Sequence, residues 1–255
     1  VLQVYAPELE GKPIASILLE HVEKIVRDSK GVIVEASIRI HYELITRSRD
    51  YHRHPGGDFG GCYTRNFEGK ERVSITSPSM GSGAVFLDLH GLEGCRIGTY
   101  LMNEIVTWVK QWPDADLKPI GLMAGQADSE NKERRNRFYQ QFGIEFEFSD
   151  DSQASGFSKP MRAGQLLNSE KWKSRIKVVD AREYLANILD ENLNLEFEVD
   201  NQRRAKNGYK DEYDKAFRSP IIFMLQRLWF RYNEGLLKTS FFSLIACIVY
   251  FKYLQ

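Results

Sequence analysis

Between Val85 and Trp112 the chain reads VFLDLHGLEGCRIGTYLMNEIVTWVKQW, and no other stretch limits the fold so closely. Val85, Leu87 and Leu89 alternate with Phe86, Asp88 and His90, the period of a short strand whose ends reach solvent. Gly91 and Gly94 break that run. Beyond them Ile97, Leu101, Ile105, Trp108 and Trp112 recur at three- and four-residue spacing, which lines one face of a helix that Pro113 stops. The chain is therefore delivered into a helix N-terminus at the edge of a sheet. There the first backbone N–H groups have no intrahelical partner and the helix dipole is positive, so an anion, a phosphate above all, is favoured.

The whole chain excludes several classes. Its 255 residues suffice for one large domain or a domain with an extension, and 42% hydrophobic with 27% charged residues is the composition of a globular protein. Lys plus Arg at 35 balance Asp plus Glu at 35, so no global field draws the chain to nucleic acid, and any such contact is local. Cys62, Cys95 and Cys247 are odd in number and widely spaced, which fits neither a disulfide framework nor a structural zinc site and points to a reducing cytoplasm. The N-terminal VLQVYAPELEGKP has early acidic residues and no long apolar core, unlike a secretory signal.

Residues 14–26, IASILLEHVEKIV, set Ile14, Ile17, Leu18, Val22, Ile25 and Val26 on one apolar face of an expected helix. The β-branched run VIVEASIRIHYELI is long enough for one strand or two, and ERVSIT makes another. Between them YHRHPGGDFGGCYTRNFEGK reads as a glycine-rich loop outside the core. A strand over Leu117 to Ala124, a helix carrying Tyr139 and a strand over Ile144 to Phe148 follow. In that helix Asp128 or Ser129 caps the start, Phe138 and Phe142 form an apolar stripe, and Gly143 supplies the exit.

The segment EGCRIGTYLMNEI resembles the acyl-CoA pyrophosphate-binding turn of the GNAT family of N-acetyltransferases. With the family's last glycine set on Gly98, Arg96 stands where a middle glycine is usual and Glu93 where Arg or Gln is usual, while Gly94 and Ile97 fit. RNRFYQQFGI is similar to the family's other recurring helix, and GFSKPMRAGQL looks like its closing strand. The resemblance covers residues 70–166 and, by order of elements, the part before them. It implies an α/β fold with a GNAT-like mixed, mostly antiparallel sheet flanked by helices, occupying residues 1–166, with a helical extension over 167–255. It also implies acetyl-CoA as co-substrate and an amine-bearing acceptor attacked directly in a ternary complex.

On that resemblance Leu89, Gly94, Arg96, Ile97, Gly98, Thr99, Tyr100 and Asn131 bind the CoA, and Tyr139 protonates the departing thiolate. A phenol of reference pKa about 10 keeps its proton at neutral pH. Asp88 and His90 share a face of a regular strand, and either can take the amine proton directly or through water, with Glu43 and Glu93 in reserve. His52 and His54 with Asp58 and Cys62 include the residue types of a transition-metal site, but two histidines in a loop more often hold none, and no metal is expected. Cys95 reads as a small loop residue. Lys132, Arg134, Arg135 and Arg137 form a solvated helix face suited to the CoA 3′-phosphate or to tRNA phosphates.

Past Leu166 the chain is strongly charged. Val178, Val179, Tyr184, Leu185, Ile188 and Leu189 suggest one amphipathic helix, and RRAKNGYKDEYDK a solvated connection. The charge-free run Thr239 to Phe251, flanked by Lys238 and Lys252, is short of the roughly 20 residues that span a bilayer. It fits either a soluble helical hairpin or an anchor through residues 236–254 holding the protein to the cytoplasmic face of a membrane. The alternative to an enzyme is a non-catalytic acyl-CoA-binding or membrane-tethered interaction protein.

Overall fold

The computed structural model describes residues 1–6, 11–45, 56–81, 83, 85, 87, 89, 91–126 and 129–232. The chain divides into two compact units, Val1–Tyr184 and Leu185–Gln255. In chain order the elements are β1 (Leu2–Val4), β2 (Ala15–Arg27), β3 (Ile33–Ile45), β4 (Gly56–Arg65), β5 (Glu71–Ser74), α1 (Ile97–Val109), β6 (Asp116–Leu117), β7 (Gly121–Leu122), α2 (Ser129–Gln140), β8 (Phe146–Phe148), β9 (Gly156–Ser158), β10 (Ile176–Val178) and α3 (Ala181–Arg218). One sheet has the order β10-β1-β2-β3-β4-β5-β6 and a smaller one the order β7-β9-β8. Every pairing is antiparallel except that of β5 with β6. The expected α/β class with a mixed, mostly antiparallel sheet is what the first unit shows.

The expected helix over residues 14–26 is instead the strand β2, paired along its length with β3 from Ser16↔Ile45 to Arg27↔Ile33. A helical and a strand period both accommodate its apolar positions, and three features select the strand. Ile17, Val22, Ile25 and Val26 are β-branched. A β-rich partner follows at once. The Asp28 carboxylate accepts the N–H groups of Lys30 and Val32 at 2.8 and 2.9 Å, which closes the hairpin.

The glycine-rich stretch also differs from expectation. Gly56–Arg65 is not a loop but the inner strand β4, with Phe59, Cys62 and Tyr63 buried. Its glycines let the chain be covered closely on both faces. A Cβ on Gly60 would lie 2.7 Å from Pro78 Cδ, and one on Gly61 would lie 2.8 Å from Ile105 Cγ2 of α1.

The amphipathic reading of α1 holds. Ile97, Leu101, Ile105 and Trp108 are buried, the Trp108 indole N–H donates to Glu23 at 2.7 Å, and Trp112, just past the helix, stacks on Tyr63 at 4.3 Å. Val85, Leu87 and Leu89, by contrast, belong to no strand. The place beside β6 is taken by β5, and Leu89 instead accepts the Leu92 N–H at 3.0 Å in a turn. The single strand expected over Leu117 to Ala124 is broken into β6 and β7, which serve different sheets.

The smaller sheet and α2 follow the expected order, with Gly143 leaving α2 at φ 79°. Val178 lies not in a helix but in β10, whose pairing with β1 places Ile176–Val178 in the first unit, beyond residue 166. α3 runs 38 residues, straight through the stretch expected as a connection, and residues 220–232 are again helical. Among the described residues no helix is long and apolar enough to cross a membrane. The run expected to reach a membrane, residues 236–254, lies outside the described residues.

Candidate functional site

The larger sheet parts at one point. Arg72 pairs with Asp116 and Val73 with Leu117, and the Lys118 N–H donates to Val73 O at 2.8 Å. Beyond that rung the β6 side turns away, and Gly121 and Leu122 pair with β9 in the other sheet. β5–α1–β6 is thus a parallel crossover whose connecting loop leaves from the end where the sheets separate. Loop-borne sites at the carboxyl end of parallel strands are where ligands of such units are held.

That loop passes through left-handed Gly91, Gly94 and Arg96 before it enters α1. Gly94 has φ 77° and Arg96 φ 66° with ψ 12°. For glycine this conformation is free of the Cβ clash, whereas for arginine it costs about 1 kcal/mol. Arg96 is the N-cap of α1, no side chain caps the helix, and its first turn holds no acidic residue. The first intrahelical donor is Tyr100 N–H, bonded to Arg96 O at 3.0 Å. The N–H groups of Ile97, Gly98 and Thr99 precede it and have no carbonyl of the helix to meet. An exposed guanidinium at the positive end of a helix is unfavourable until an anion joins it.

The other expected binding residues are disposed as follows. Ile97, Thr99 and Tyr100 turn their side chains into the core, Tyr100 against Trp172 at 4.9 Å, so Ile97 and Thr99 have only main-chain atoms to offer a ligand. Burial first, then Glu104, pushes the Tyr100 phenol up to about 12. Leu89 is buried. Asn131 lies in α2 and accepts from Arg134 at 3.1 Å. Asp88 and His90 lie outside the described residues.

α2 is brought against the amino end of α1. A Cβ on Gly98 would sit 3.6 Å from Phe138 Cε2 and 3.7 Å from Leu87 Cδ2, which is ordinary contact. Gln141, just after α2, donates to Thr99 Oγ1 at 3.3 Å. Tyr139 is 7% exposed, with its ring edge-on to Phe138 at 5.2 Å and Phe146 at 5.5 Å. Burial pushes its phenol up to about 12, so it is neutral throughout the physiological range.

Most of the basic face of α2 is already engaged. Lys132 reaches Ser152 O at 2.8 Å, Arg137 pairs with Glu133 at 3.4 Å, and Arg135 spans Met123 O at 3.1 Å and Ala154 O at 2.9 Å. Arg135 is therefore a brace between α2 and the smaller sheet. Cys62 is buried, and desolvation pushes its thiol up to about 11, which makes it unreactive. Cys95 is buried as well. Among the described residues no three His, Cys, Asp or Glu side chains gather as a metal would need. His52 and His54 lie outside the described residues.

Comparison with protein-family models, with curated proteins and with solved structures finds no match. Residues and geometry therefore carry the functional reading.

The sequence alone did not reveal a cavity of about 1130 Å³ lined by Arg72, Lys118, Met80, Asp116, Met161 and Arg162 among others. It does not include Gly98 or Tyr139. Its residues come from positions 64 to 165 and meet only once β4, β5, β6 and the segment after β9 are laid side by side. The signal that reaches it is the single rung between Lys118 and Val73, since both Leu117 and Lys118 line it.

Proposed function

We infer that the protein is an acyl-CoA-dependent N-acyltransferase, moving an acetyl group from acetyl-CoA to an amine within a GNAT-like fold. The carrying observation is the amino end of α1. Three amides without helical acceptors, an uncapped N-terminus and the exposed Arg96 lie where the β5–α1 loop leaves the parting sheets, with α2 alongside. That arrangement suits a pyrophosphate, with the pantetheine arm laid into the opening between the segment after β5 and the one after β6. The order of elements from α1 to β9 supports the same family.

In the reaction the neutral amine nitrogen bonds to the thioester carbonyl carbon and the C–S bond breaks. The nitrogen gives up a proton to Asp88 or His90, directly or through water, and the sulfur leaves as the CoA thiolate, which takes its proton from solvent. Tyr139 faces the charge that builds on sulfur. A phenol held near 12 is a much weaker acid than a thiol of about 8.5, so it donates a hydrogen bond to the thiolate and does not hand over its proton outright.

The burial of Tyr139 among Phe138 and Phe146 favours a second reading, an acyl-CoA-binding protein without turnover. Calorimetric titration of the full chain with acetyl-CoA, followed by thiol release across a panel of amines, tests both. Binding with turnover supports the enzyme, binding without turnover supports the second reading, and no binding removes both.

A further inference from the structure

The cavity beside the parting point of the sheet has an excess of positive charge. Four of its lining residues are cations, Lys70, Arg72, Lys118 and Arg162, and two are carboxylates, Asp114 and Asp116, a difference of two positive charges. The carboxylates are each already opposed, Asp116 by Lys70 at 3.9 Å and Asp114 by Arg162 at 3.5 Å. That leaves Arg72 and Lys118. The Arg72 main chain is held in the sheet, and its guanidinium makes no ion pair or hydrogen bond among the described residues. The Lys118 ammonium donates to the carbonyls of Met80, at 2.8 Å, and Gly81, which orient it without neutralising it. Arg72 stands on β5 and Lys118 directly follows its neighbour β6, and Met80, Met161 and Leu117 supply an apolar wall.

We propose that this cavity is the acceptor site and that the acceptor is an amine carrying an anionic group, a carboxylate or a phosphate, held by Arg72 and Lys118. The proposal rests on the acyltransferase reading for the amine and on the cavity's own charge for the anion. Its position follows from the rung between Lys118 and Val73, which closes the opening in which the pantetheine arm would lie. Leu117 and Lys118 belong to both the cavity and that closed end, so on this proposal the anchored acceptor presents its amine there. Planar pairing by Arg72 and a point charge from Lys118 suit either anion.

The test uses the full chain and three probes: 2-aminoethyl phosphate, β-alanine, and ethanolamine, which has no anionic group. Binding is measured by calorimetry with and without CoA, and turnover by thiol release from acetyl-CoA. The expected result is that one or both anionic amines bind at least about tenfold more tightly than ethanolamine. Which of the two does so identifies the anion. Arg72→Ala and Lys118→Met should each remove that preference while CoA affinity stays unchanged, which also reports that the variants are folded. Equal binding of all three probes, no binding at millimolar concentration, or a preference that survives both substitutions overturns the proposal. A preference lost in the variants but unaccompanied by thiol release supports the anion site and counts against acyl transfer. Thiol release with no preference keeps acyl transfer and removes the anion site.

Discussion

Gln141 Nε2 donates to Thr99 Oγ1 at 3.3 Å, joining the end of α2 to the first turn of α1. Thr99 is buried, and Gln141 also accepts from Ser169 at 3.3 Å, so one amide holds three segments together. The amino end of α1 and the helix bearing Tyr139 are thereby kept in fixed relation. Gln141→Leu should lower unfolding free energy by about 1–2 kcal/mol, because two hydroxyls lose their partner. Urea denaturation measures it. CoA affinity should fall with it, and unchanged affinity would show that the tie serves packing alone.

Arg96 occupies a left-handed conformation that glycine adopts without strain. Arg96→Gly should raise stability by up to about 1 kcal/mol, the released strain being partly offset by the freer unfolded chain. The same change removes the guanidinium from the amino end of α1, so CoA should bind more weakly and with a shallower dependence on salt. Denaturation and titration at two ionic strengths check both. A variant that binds CoA more tightly would mean that Arg96 obstructs the turn.

Tyr139→Phe deletes one hydroxyl and leaves the packing of the ring against Phe138 and Phe146. Turnover should fall about 100-fold with little change in acetyl-CoA affinity, since the hydroxyl matters only as charge gathers on sulfur. Steady-state kinetics beside equilibrium titration separates the two. Lost affinity with normal turnover would make Tyr139 a binding residue.

Tyr63, Tyr100 and Tyr139 are each pushed up to about 12, mainly by burial, with Glu71 adding to the effect at Tyr63 and Glu104 at Tyr100. Between pH 10 and 12 the folded protein keeps protons that the unfolded chain has released. Stability is therefore fully present below about pH 10 and declines as pH rises towards 12, by up to about 1.4 kcal/mol per pH unit for each tyrosine. Denaturant unfolding at pH 9 and at pH 11 reads the loss. The part of the phenol absorbance change that belongs to these three tyrosines should accompany unfolding and not precede it.

What the sequence disclosed follows from how local the causes are. α1 was legible because its buried face repeats at helical spacing, although it stops at Val109, short of Pro113. β2 was not, because Ile14 to Val26 satisfies a helical period by chance, while its strand state depends on pairing with β3. β4 was hidden by the glycines that make it fit. Gly60 and Gly61 are required by Pro78 on one face and Ile105 on the other, neither of which is near them in sequence. In the candidate site, the glycine turn and the tyrosine helix could be read from short segments, and the structure brings Gly98 and Phe138 into contact. The cation pair of Arg72 and Lys118 could not, since it arises only from the parallel pairing of β5 with β6.

Gly98 offers the most direct measurement on the central claim. A methyl group there meets Phe138 and Leu87 only at ordinary contact distance, so Gly98→Ala should fold and should bind CoA within a few-fold of the unaltered chain. Gly98→Glu places a carboxylate among the amides proposed to hold the pyrophosphate, where charge and bulk both oppose it. Calorimetric titration of the three full-length proteins with CoA should show affinity largely kept in the alanine variant and reduced at least about 100-fold in the glutamate variant. Equal CoA affinity in a folded Gly98→Glu protein, or no CoA binding by the unaltered chain, would contradict the assignment of the amino end of α1 to the phosphates.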